Sequence, residues 1–155
     1  MRSIKNEKNL INKFIILRLD LNVPLDQGKI NDTTRIDKII PTLNYLISQK
    51  TKIIILSHIG RPKGKIVDEL SLKPIREDLQ KKLNINVKLI KNNIFEIKNK
   101  DFFNDFDEQV LILENIRFYA EEEKNDPNFA NHIASLGDIY VNDAFSCSHR
   151  EHASI

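Results

Sequence analysis

The chain is punctuated by five near-continuous runs of Ile, Leu and Val, at residues 14–19, 52–57, 86–90, 109–114 and 138–141. Runs of this kind, short and apolar at almost every position, fit strands covered on both faces rather than strands with one wet face. Between them the apolar spacing changes to that of helices. Ile36, Ile39, Ile40, Leu43, Leu46 and Ile47 follow the cap candidates Asp32 and Thr33, and Pro41 is expected to kink or divide that helix. Leu72, Ile75, Leu79 and Leu83 form a second stripe, started by Ser71 with Pro74 in its first turn. A third helix is predicted from Asp126 as cap and Pro127 at the first position, with Phe129, Ile133 and Leu136 on one face and Gly137 as the stop. Residues 92–108, where Phe95, Phe102, Phe103 and Phe106 lie among charges, are expected to form a short helix and loop over the sheet.

The alternation β-α-β-α-β-x-β-α-β implies an α/β fold, an open parallel sheet flanked by helices in the Rossmann-like manner, with right-handed crossovers. Loops leaving the carboxyl ends of parallel strands share a crevice. Residues 18–24, 57–63, 113–118 and 141–152 are those loops, and each is rich in Arg, His, Asp or Asn. The chemistry is therefore expected at one sheet edge.

Composition narrows the choices without making one. A chain of 155 residues fits one domain, and 41% hydrophobic with 30% charged residues reads as globular. The net charge of +2 comes mostly from Lys dispersed among acids, which argues against a nucleic-acid partner. One cysteine, Cys147, permits no internal disulfide and suits a reducing, cytoplasmic setting. Residues 1–13 carry no apolar signal core and residues 14–17 are too short to span a bilayer, so no membrane association is expected. The polar segment after the fifth strand ends within a few residues, at Ile155, and the chain is expected to be a fragment.

Arg is the less common base here, yet Arg35, Arg61, Arg117 and Arg150 all fall just after strands or at a helix start. A guanidinium grips phosphate or carboxylate in bidentate fashion, so four around one crevice imply a small ligand with several negative charges. A single such Arg would more simply be a surface ion pair. Asp20 and Asn22 alternate, placing both side chains on one side of an extended strand end, where they suit a hydroxyl or carboxylate or simply a turn. Arg18, two residues earlier, suits a structural ion pair. His58 and Arg61 read as anion donors, with Gly60 allowing close backbone approach. A Ser57–His58 nucleophilic pair is disfavoured because adjacent strand residues face opposite ways. A P-loop fails too: residues 60–64 are one short and Ile66 replaces the magnesium-binding hydroxyl. Cys147, His149 and His152 lack zinc-ligand spacing, and the two histidines suit anion donors or local hydrogen bonds. Glu121, Glu122 and Glu123 read as a solvated face.

Taken together, residues 18–24, 31–35, 57–64, 113–119, 121–127 and 138–152 strongly resemble the phosphoglycerate kinase family, specifically its amino-terminal half. The resemblance implies that residues 1–155 form a single, incomplete phosphoglycerate-binding domain of a two-domain kinase, whose nucleotide-binding domain is absent from this chain. It implies 3-phosphoglycerate and 1,3-bisphosphoglycerate as ligands, and Mg-ATP or Mg-ADP as co-substrate held in the missing domain, with no metal bound here. By resemblance Asp20 and Asn22 hold the hydroxyl and carboxyl end of the substrate and Arg35, the catalytic residue, steadies the transferring phosphoryl group. His58, Gly60, Arg61, Arg117 and Arg150 surround the phosphate and nearby oxygens. Activity would require a separate chain carrying the nucleotide domain, and the other readings are a non-catalytic phospho-acid-binding fragment or a decayed product. Glu151 and Ile155 depart from the family pattern, and a carboxylate beside Arg150 is expected to weaken its grip on an anion.

Overall fold

The computed structural model describes residues 9–21, 25–26, 29–30 and 32–143. Strands β1 (Phe14–Leu19), β4 (Lys52–Leu56), β5 (Val87–Ile90), β6 (Val110–Leu113) and β7 (Ile139–Asp143) form one sheet in the order β5-β6-β4-β1-β7, with every pairing parallel. The five apolar runs thus become the five strands. The pattern misses a small antiparallel pair, β2 (Leu25–Asp26) with β3 (Lys29–Ile30).

Helices α1 (Thr34–Ser48) and α2 (Lys73–Leu83) cover one face, where Ile36, Leu43, Leu46, Ile75 and Leu79 pack on Ile15, Leu17, Ile53 and Ile55. The opposite face is covered by α4 (Pro127–Ala134) and by the 3₁₀ turns Ile94–Glu96 and Lys100–Asp105, through Phe129, Ile133, Ile94, Ile97 and Phe103. Alternate residues of β1 and β4 feed the two clusters, which is why these strands read as apolar throughout.

Pro41 does not divide α1, which runs as one 15-residue helix through it. Ile36 and Ile39 before the proline and Leu43 and Leu46 after it are buried on the same sheet face, and this shared burial outweighs the lost ladder bond. Pro41 itself is exposed, so the carbonyl it leaves unpaired can be hydrated. Asp32 rather than Thr33 serves the helix start, its carboxylate accepting from the Thr34 amide at 2.9 Å and hydroxyl at 2.6 Å. These bonds hold the Asp32 carboxyl below its ordinary range. Ser71 lies one residue before the α2 cap, and its hydroxyl accepts from the Lys73 amide.

Asp126 caps α4 as expected, accepting from the amides of Asn128 and Phe129, with Pro127 at the first position. Gly137 is not the stop, because α4 ends at Ala134 with Ser135 as its C-cap. A Cβ on Gly137 would lie 2.7 Å from the Ile16 side chain, so the glycine permits close approach to β1. The expectation for Glu121, Glu122 and Glu123 is overturned in part. They belong to a short helix, α3 (Ala120–Glu123), which turns Glu122 fully inward.

Candidate functional site

The connections leaving β4 and β6 depart to opposite faces of the sheet: β4 leads to α2 on one side, and β6 leads through the 3₁₀ turn Ile116–Phe118 and α3 to α4 on the other. Adjacent strands that part in this way open a crevice at their carboxyl ends. The segments that follow β4 and β6 carry His58, Gly60 and Arg61 on one side and Arg117 on the other. The carboxyl end of β1, next to β4, adds Asp20.

Two side chains that sequence reasoning did not single out tie these loops together. Asn115 Nδ2 donates to the carbonyls of Ile59 and Leu70, both at 2.9 Å, while its Oδ1 accepts from the Arg117 amide at 3.1 Å. The Glu114 carboxylate accepts from the Ser71 hydroxyl and the Leu72 amide, both at 2.7 Å, and from the Asn115 amide at 3.0 Å. A carboxylate at the start of α2 also complements the positive end of that helix. Backbone bonds from Ile116 N to Ser57 O and from Gly64 N to Arg117 O complete the junction. The loops after β4 and β6 therefore form one braced unit, which fixes Arg117 by its backbone on both sides. A short polar residue directly after an apolar strand is the signal that could have pointed to Asn115.

Asp20 and Arg35 are brought together: Arg35 Nη1 donates to Asp20 Oδ1 at 2.8 Å, and the Arg35 side chain remains 49% exposed. His58 and Arg117 are buried, and Arg61 is exposed. Gly60 has φ of +64°, and a Cβ there would meet Leu70 Cδ2 at 2.8 Å. The close approach that requires glycine is thus to Leu70. Asn22 and Arg150 lie outside the described residues, as do Cys147, His149, Glu151, His152 and Ile155.

Ser57 and His58 diverge as the strand pleat demands. The Ser57 hydroxyl donates to Leu19 O at 2.8 Å and accepts from Leu21 N at 3.1 Å, clipping the end of β1 to that of β4. His58 turns the other way, its Nδ1 lying 3.1 Å from Arg18 Nη2. Arg18 is fully buried, with Nη1 donating to Leu19 O at 2.6 Å. A separate cleft of about 640 Å³, lined by Ile66, Lys73, Lys91, Glu114 and Tyr119 among others, contains none of Asp20, Arg35, His58, Arg61 or Arg117. Among the described residues, no group of three or more His, Cys, Asp or Glu could hold a metal ion, and no helix is long and apolar enough to cross a membrane.

Such an arrangement, cationic side chains on braced loops at the carboxyl edge of a parallel sheet, is chemically suited to a small polyanion. The family model "Phosphoglycerate kinase" matches residues 5–155. The chain is 51% identical over 148 residues to phosphoglycerate kinase of Wolbachia pipientis wMel, covering 95% of this chain and 37% of the relative. It is 50% identical over 143 residues to that of Orientia tsutsugamushi (strain Ikeda), covering 92% of this chain and 35% of the relative. The solved phosphoglycerate kinase from Coxiella burnetii superposes with a TM-score of 0.86 at 41% identity, over 99% of this chain and 37% of that one. The chain thus spans little more than a third of the length of these relatives, and on the family match and these identities it belongs to the phosphoglycerate kinase family.

Proposed function

We propose that this chain is the 3-phosphoglycerate-binding part of a phosphoglycerate kinase, the enzyme of glycolysis that passes a phosphoryl group reversibly between 1,3-bisphosphoglycerate and ADP, giving 3-phosphoglycerate and ATP in the cytoplasm. The observation that carries this reading is the Asp20–Arg35 pair beside the braced His58, Arg61 and Arg117 loops. Asp20, with Asn22, receives the hydroxyl and carboxyl end of the glycerate. Arg61, Arg117 and His58, with Arg150, hold its phosphate, and Gly60 sets the path of the loop. Arg35 is oriented by Asp20 and keeps an exposed guanidinium for the transferring phosphoryl group.

Phosphoryl transfer asks the protein chiefly to position reactants and neutralise charge, and an acyl phosphate passing to ADP needs no general base. Mg-ATP or Mg-ADP, as co-substrate, supplies the nucleotide phosphates with their charge partly neutralised. Its site belongs to a nucleotide-binding part outside residues 1–155, whether on a continuous or a separate chain. Residues 1–155 act as one binding domain, and turnover requires the other part.

Titrating the chain with 3-phosphoglycerate while recording amide NMR spectra tests this. Shifts centred on His58, Arg61 and Arg117 are expected. A dispersed spectrum that does not respond would refute the binding site, and coupled turnover with ADP and 1,3-bisphosphoglycerate by this chain alone would refute the need for a second part.

A further inference from the structure

Arg18 has no assigned contact with the ligand, yet it is the largest fully buried side chain in the described structure and ends against a ring of the proposed site. Its guanidinium offers Nη2 to His58 Nδ1 at 3.1 Å, with His58 only 2% exposed. Guanidinium is purely a donor and does not lose its proton in proteins. The ring nitrogen facing it must therefore accept, and the ring proton then resides on Nε2. A proton on Nδ1 would set one N–H against another, and a charged ring would add a second positive charge in an interior where repulsion is poorly screened.

The backbone imposes this meeting. Arg18 pairs in register with Leu56, and His58 lies two residues further along on the same side of the pleat. The charge of Arg18 also reaches Tyr140 on β7. Burial raises the Tyr140 phenol well above its ordinary range, while the charge of Arg18 lowers it and that of Glu122 raises it.

We propose that Arg18 is a positioning residue that fixes His58 as the neutral tautomer protonated on Nε2, making Nε2–H the ring's donor to the phosphate of the ligand. This deepens the proposed function and rests on it for the identity of the ligand.

The first test is a long-range proton–nitrogen NMR spectrum of the ligand-free chain at neutral pH, which distinguishes a lone-pair nitrogen from a protonated one. A lone-pair Nδ1 with a protonated Nε2 is expected. A protonated Nδ1, or a charged ring, overturns the proposal. The second test compares His58→Gln, whose amide nitrogen stands near the place of Nε2, with His58→Asn, whose amide reaches only as far as Nδ1. His58→Gln is expected to keep affinity for 3-phosphoglycerate within about threefold, and His58→Asn to lose tenfold or more. Equal losses overturn the donor role. Arg18→Met should release the ring to a mixture of tautomers, and an unchanged ring spectrum would contradict the inference. If that variant does not fold, the wild-type spectrum still decides. The expected ring state in a chain that fails to bind 3-phosphoglycerate would leave the fixing of the ring by Arg18 standing and remove the ligand.

Discussion

Arg35 Nη1 donates to Asp20 Oδ1 across 2.8 Å, fastening the first turn of α1 to the carboxyl end of β1. The arginine is half exposed, so the pair contributes at most about 1 kcal/mol to stability. Its consequence lies in orientation. Asp20→Asn and Arg35→Ala are each expected to shift the urea midpoint only slightly while weakening 3-phosphoglycerate binding by about tenfold, which is about 1.4 kcal/mol. Calorimetric titration beside a urea melt separates the two effects. Unchanged affinity in both variants would remove the pair from the site.

Asn115 is expected to matter far more for folding than its size suggests. Truncation to Ala would leave the Ile59 and Leu70 carbonyls without the amide that now joins them, and would free the Arg117 backbone. A cost of about 2–4 kcal/mol is expected, since buried polar groups would lose their partners. Hydrogen exchange should accelerate through residues 59–72 and 114–118 together. Acceleration confined to one loop would show that the two are not braced as a unit.

Gly60 combines a positive φ with a Leu70 methyl 2.8 Å from where a Cβ would stand. Gly60→Ala should destabilise the chain by about 1–2 kcal/mol from backbone conformation alone, with crowding added. Leu70→Ala in the same chain should relieve the crowding and leave the backbone cost. Full recovery in the double variant would mean that φ contributes nothing, and no recovery would mean that Leu70 moves aside freely.

Asp138 joins the start of β7 to the start of β1. Its Oδ2 accepts from the Phe14 amide at 2.8 Å, its own amide donates to Phe14 O at 2.8 Å, and Oδ1 pairs with Lys100. Burial raises this carboxyl, but Lys100 and the Phe14 amide together hold it below its ordinary value of 3.8. A carboxyl lowered in the folded state contributes stability that is complete above the unfolded value and is lost as pH falls through the folded one. Stability should therefore decline below about pH 4. Asp138→Asn should shrink that acid decline at a cost of under about 1 kcal/mol at pH 7. An identical acid limb in the variant would place the titrating group elsewhere.

Phe103 closes the second core beneath Phe102, and Phe103→Ala should cost about 3–5 kcal/mol, read from the thermal midpoint. A loss below about 1 kcal/mol would mean that the 3₁₀ turn Lys100–Asp105 packs only loosely on the sheet.

The sequence by itself determined the five parallel strands, the amphipathic stripes of α1, α2 and α4, and the polar loops that leave the strands. Each of these is a local periodicity: Ile15, Ile16 and Leu17 are apolar because both faces of β1 are covered, and Arg61 and Arg117 follow strands whose ends share one edge. The same pleat keeps Ser57 and His58 apart, sending one to Leu19 and the other to Arg18. Only the tertiary structure decided the relations between elements far apart in the chain. Pro41 lies within a continuous helix because Ile36 and Leu46 share a sheet face, and Glu122 is buried where its two acidic neighbours suggested a wet surface. Arg18 meets His58 because β1 and β4 pair in a register that a separation of 40 positions along the chain leaves unspecified. A residue type tells what a side chain can donate or accept, and the packing of distant elements supplies the partner.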